Sequence, residues 1–136
     1  MKTASRQTLL RANAIFLLVA SAGGFGSDLL GAFFAVGPMA SIVAAAPYSA
    51  LGFIEAHGLA FLIGLLMWRA EPLRAWHVTA AAIHVLLGAA NLAFWQLFIV
   101  ADMLAVGYVT TALHGLFVVL QLSAAATTIV DNHARA

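Results

Sequence analysis

The chain has 136 residues, 64% hydrophobic and 8% charged, with a formal net charge of +1. Soluble domains carry about 25% charged residues, so lipid is the expected solvent for most of this surface. The lack of cysteine excludes disulfides, thiolate metal sites and cysteine nucleophiles, and no basic stripe is present that could hold nucleic acid.

A spanning helix needs about 20 apolar residues, and four runs qualify. The first, about residues 9–36, is longer than required. It is therefore expected to tilt, to break, or to extend past the membrane, and Gly23, Gly24 and Gly26 mark the cheapest place for a kink. Lys2, Arg6 and Arg11 ahead of an apolar stretch, with Ala20-Ser21-Ala22 following, have the look of a secretion signal. The apolar run continues well past Ala22, so a retained first helix is expected. Residues 36–48, VGPMASIVAAAPY, carry no charge and contain Pro38 and Pro47. They are read either as a short interfacial or re-entrant piece capping the outer end of the bundle, or as an apolar loop packed on the helix ends.

The second run, about residues 49–68, and the third, about 76–98, are joined by the short loop RAEPLRA. A connection that short predicts an antiparallel pair. Trp68 and Trp76 bracket this loop at one membrane interface, and Trp95 is placed at the other. The fourth run covers about residues 104–130. Together they predict an all-α integral membrane protein, one four-helix domain over residues 1–136 with up-down-up-down topology. In that arrangement Lys2, Arg6, Arg11, Arg69, Arg74 and Arg135 all fall on one side. The positive-inside rule then puts both termini in the cytoplasm, with a bacterial inner membrane the expected location.

Polar residues inside the spans carry the functional signal, because a charged group at a helix centre costs roughly 2.5–3.5 kcal/mol. On the third helix His77, His84 and Asn91 recur every seven residues and Trp95 follows by four, which makes one narrow stripe at helical pitch. On the fourth, Thr110, His114, Gln121 and Thr128 form a similar stripe. Two such stripes are expected to face each other or a shared cavity. Helix 1 adds Asp28, with Ser21 on the same face. Helix 2 adds Glu55 and His57, which lie about 200° apart on a helix and so are expected to make separate contacts.

Counted from the helix ends, Asp28, Glu55, Asn91 and His114 share the outer half of the membrane, with His57 and His84 nearer its middle. His77 sits at the cytoplasmic interface, where a purely interfacial role is the expectation. The predicted site has Glu55, His84, His114 and Asp28 as catalytic groups, and His57, Asn91, Trp95 and Gln121 as ligand-binding groups. Asn91, Gln121 and the threonines serve equally well as hydrogen-bonding glue between helices. The methionines are read as packing.

Four functions fit these residue types. In the first, the site binds a lipophilic small molecule and transforms it by acid–base chemistry, as an isomerase or hydratase acting on a lipid or isoprenoid-type substrate would. Desolvation moves carboxyl and imidazole groups toward neutrality, and Trp95, Phe53 and Phe61 supply aromatic walls. Sterol isomerases also set acids and histidines in a small helical bundle, although no motif is shared. In the second, His57 and His114 ligate haem b from diagonal helices, although the outer side lacks Lys or Arg to pair with propionates. In the third, His and carboxylate ligands hold a metal, although HExxH and ExxH are absent. In the fourth, the protein transports protons with a solute, for which the chain is short and no inverted repeat is visible. The expected partners are membrane lipid and a lipophilic small molecule. A homodimer is compatible with the Ala20–Gly24 and Ser27–Gly31 spacings.

Overall fold

The computed structural model describes residues 3–133, with side chains described for residues 4–127. Six helices follow in order: α1 (Thr3–Phe34), α2 (Ala40–Ala45), α3 (Ser49–Arg69), α4 (Arg74–Ala93), α5 (Trp95–Val100) and α6 (Leu104–His133). No strand occurs among the described residues. Four of these helices are long and apolar enough to cross a membrane: α1, α3, α4 and α6. Their outward faces carry Val19, Leu62, Leu66, Leu86 and Val119, all exposed, as lipid-facing surfaces do.

α1 is continuous through its glycines and does not break. At ~1.5 Å per residue its 32 residues reach beyond a ~30 Å hydrocarbon core. Of the three glycines that suggested a kink, Gly24 instead makes room for a side chain of another helix. A Cβ at Gly24 would collide with the His57 ring. On α3 the same device recurs at Gly64, where an added Cβ would lie 2.9 Å from Leu18 Cγ.

The third apolar run, expected to be one helix to about residue 98, divides at Phe94. That residue leaves helical backbone at φ −111°, ψ 31°, which turns everything after it, Trp95 included, off the α4 stripe. The chain then reverses at Asp102, whose φ of 54° is left-handed. Met103 N–H donates to Phe98 O at 2.8 Å across this turn, a Schellman-type closure in which Asp is better tolerated than most residues. Within residues 36–48 the chain forms α2, whose Ile42 is buried and which touches α1 and α5.

Packing is dominated by two helix pairs, α1 with α3 and α4 with α6. Gln7 Nε2 donates to Ala70 O at 3.2 Å, Leu18 meets Gly64, and Asp28 meets His57, so α1 and α3 run in opposite directions. His77 meets Gln121, His84 meets His114, and Asn91 meets Thr110, so α4 and α6 do the same. The tightest apolar core consists of Leu10, Ala14, Leu17, Met67 and Ala80, with Trp76 packed against it. It lies beside the α3–α4 loop, where the Arg11 guanidinium sits 5.6 Å from the Trp68 ring.

Candidate functional site

Between the two helix pairs lies a cavity of about 480 Å³, covered at one end by Met39 and Ile42 of the 36–48 segment and by Phe98 and Met103. Its wall is mostly apolar, with polar groups converging from α1, α3, α4 and α6: Asp28, His57, Asn91, Thr110 and His114. An apolar chamber with a few directed polar groups is the usual form of a small-molecule site.

The α1–α3 wall is built around one carboxylate–imidazole hydrogen bond. His57 Nδ1–H donates to Asp28 Oδ2 at 2.6 Å. Asp28 is 1% exposed, while the His57 ring is partly open toward the cavity. Gly24, one helical turn before Asp28, leaves room for the imidazole against α1. A carboxylate on Nδ1 sets the tautomer and leaves Nε2 as the basic nitrogen. The other carboxylate oxygen, Asp28 Oδ1, is buried without a hydrogen-bond partner.

The α4–α6 wall is built from neutral groups. His84 and His114 meet through their Nδ1 atoms at 2.9 Å. Phe117 stacks on His84 with ring centres 5.0 Å apart, and Phe16 of α1 packs edge-on to His114 at 5.5 Å. This aromatic enclosure shields the imidazole pair. Farther toward α5, Asn91 Nδ2 donates to the hydroxyls of Thr110 and Thr111, each at 3.1 Å.

Behind His84 the polar contacts continue away from the cavity. Asn13 Nδ2 donates to His84 Nε2 at 2.8 Å. Gln121 Nε2 donates to Asn13 Oδ1 at 2.8 Å, and His77 Nδ1 donates to Gln121 Oε1 at 2.6 Å. Asn13, His77 and Gln121 are fully buried. The result is an unbroken chain, His77–Gln121–Asn13–His84–His114, through the interior.

Of the residues predicted for the site, Asp28, His57, Asn91 and His114 line the cavity, and His84 and Gln121 stand behind His114. Two do not join them. Glu55 is exposed on the outer face of α3 beside Leu51 and Leu59. With His57 turned toward α1, the ~200° between residues two apart leaves Glu55 facing away. Of the two carboxylates predicted for the site, Asp28 lines the cavity and Glu55 does not. Trp95, beyond the break at Phe94, packs on Tyr108 and Phe98 and does not line the cavity. Phe53 lines the chamber, whereas Phe61 faces outward. The side chain of Thr128 lies outside the described residues.

Asn13 was not singled out from the sequence, and His77 was expected only at an interface. The available signal for Asn13 was a lone amide in the first apolar run, eight residues before Ser21 and on roughly the same side of the helix. Among the described residues no group of three or more His, Asp or Glu is placed to hold a metal ion. Comparison with protein-family models, curated proteins and solved structures found no match.

Proposed function

We propose that this is an up-down-up-down four-helix protein of the bacterial inner membrane, with both termini cytoplasmic, that binds a lipophilic small molecule in the cavity and transforms it by acid–base chemistry. The observation that carries this reading is the convergence of a carboxylate-held imidazole from one helix pair and a second imidazole from the other on the same apolar chamber. His57 acts as the base through Nε2, oriented by Asp28. His114 acts as the hydrogen-bonding acid through Nε2, since its Nδ1 is taken by His84. Asn91 orients the ligand through its free Oδ1. The gathering of Arg6, Arg11, Arg69 and Arg74 at one end, with Glu71 the acidic residue among them, supports the orientation.

Haem b ligated by His57 and His114 is the second reading. Each of these histidines has its Nδ1 engaged and its Nε2 unbonded, as axial ligands do. Against it, no Lys or Arg lines the cavity to meet the propionates, and Asp28 would face them.

Purification in mild detergent, with mass spectrometry of retained small molecules and a visible spectrum, separates the two. The expected result is one lipophilic compound held by the wild type, reduced about tenfold or more in His57→Ala and His114→Ala, and no Soret band. A Soret band that needs both histidines replaces this reading with haem binding. A wild type that retains nothing beyond bulk lipid overturns it.

A further inference from the structure

The buried chain has a direction. At His77, Nδ1–H donates and Nε2 is left as a buried lone pair without a partner. Each following group then donates onward: Gln121 to Asn13, Asn13 to His84 Nε2, His84 Nδ1–H to His114 Nδ1. A neutral imidazole that accepts at Nδ1 carries its proton on Nε2. Nε2 of His114 has no partner among the described residues and is not sealed off, and His114 lines the cavity. The chain therefore ends in an N–H aimed at the ligand.

Turning both amides over would reverse every link and make His114 an acceptor. Three features oppose that state. Reversal would bury an orphaned N–H at His77 in place of a lone pair, and orphaned buried N–H groups are the rarer kind. The cations Arg6, Arg69 and Arg74, which outnumber the one carboxylate Glu71 in the same loop, and the positive N-terminal end of α4 lie at the His77 end. The Asp28 carboxylate lies at the cavity end. A row of N–H dipoles is stable with its positive ends pointing away from cations and toward the carboxylate, which favours the direction described over its reverse. Aligned hydrogen bonds also polarise one another and strengthen the terminal donor.

We infer that this chain commits His114 to the N–H donor form, so that the cavity selects lipophilic carbonyl compounds and activates them for proton abstraction. The inference rests on the lipophilic-ligand reading above. The carbonyl oxygen accepts from His114 Nε2–H. His57 Nε2 takes a proton from the carbon beside the carbonyl; the C–H electron pair becomes the new C=C bond, and the C=O π pair moves onto the oxygen held by His114. Return of a proton from the His57 imidazolium restores the ketone, or delivers its isomer where a double bond is adjacent. Asn13, Gln121 and His84 are positioning residues that never touch the ligand.

Two measurements test this. Imidazole nitrogen NMR of histidine-labelled protein in detergent is expected to show a proton on Nε2 of His114 and on Nδ1 of His84 and His77. The opposite pattern at His114 overturns the inference without any variant having to fold. In heavy water, geranylacetone is expected to gain deuterium at the carbons flanking its carbonyl in the presence of wild-type protein. Asn13→Leu is expected to slow that exchange about tenfold while His114 becomes a mixture of tautomers. A co-purified lipid retained through His57 and His114, with no binding or exchange of geranylacetone, overturns the carbonyl inference and leaves the lipophilic-ligand reading standing.

Discussion

The α1–α3 and α4–α6 pairs are similar in length and apolar character but are held together by different means. In α1–α3 a side chain of the partner helix seats against each of Gly24 and Gly64, and one carboxylate–imidazole contact, Asp28–His57, joins the helices. In α4–α6 three neutral bridges recur at seven-residue intervals along α4: His77–Gln121, His84–His114 and Asn91 to Thr110 and Thr111. Charge is thus confined to one wall of the cavity, and a graded set of neutral hydrogen bonds forms the other. In lipid, hydrogen bonds between helices average only about 0.6 kcal/mol, so the regular bridges matter most for where they hold the imidazoles. Asn13 is the exception to the separation, since it reaches from α1 into the α4–α6 bridges.

Substitutions can break or sharpen this contrast. The largest stability effect is expected at Asn13. Asn13→Leu strands a buried Gln121 N–H and the His84 Nε2 lone pair, so a loss of about 2–4 kcal/mol is expected in detergent unfolding titrations. A loss no greater than that of a peripheral bridge would mean that the helix pairs are energetically independent. Next is Gly24→Val, which drives a side chain into the His57 ring. Overpacking of this kind costs roughly 1–3 kcal/mol, and ligand retention should fall with it. Unchanged retention would show that the Asp28–His57 wall does not touch the ligand.

Asn91→Ala removes one bridge at the half-buried end of α4 and should cost about 0.6 kcal/mol. A cost equal to that of Asn13→Leu would erase the distinction between connecting and peripheral bridges. The smallest effect belongs to Glu55→Gln, where stability is expected to change by less than about 0.5 kcal/mol, with ligand retention and exchange activity intact. Loss of activity in that variant would return Glu55 to the site and require an α3 facing different from the one described.

Much of the α4–α6 wall was legible because a seven-residue recurrence survives any plausible packing. His77, His84 and Asn91 must share a face if the segment is helical, and a polar face in lipid must find a partner. The α1–α3 wall was harder to read. Glu55 and His57, on opposite sides of one helix, were equally eligible for the interior. Their roles depended on whether α1 stayed straight and which face of α3 met it. Trp95 fits the stripe only if the helix continues, and nothing in FWQ announces the departure at Phe94.

Composition and helical periodicity were therefore enough to establish four membrane-length helices and the polar stripe that runs along α4, because hydrophobicity and pitch are properties of a single segment. Which carboxylate enters the cavity, how α5 turns Trp95 aside, and how Asn13 joins two histidines on α4 to a third on α6 are properties of pairs of segments. They follow from the close approach at Gly24, the backbone at Phe94 and the need of each buried amide for a partner, conditions that exist only once the helices have packed.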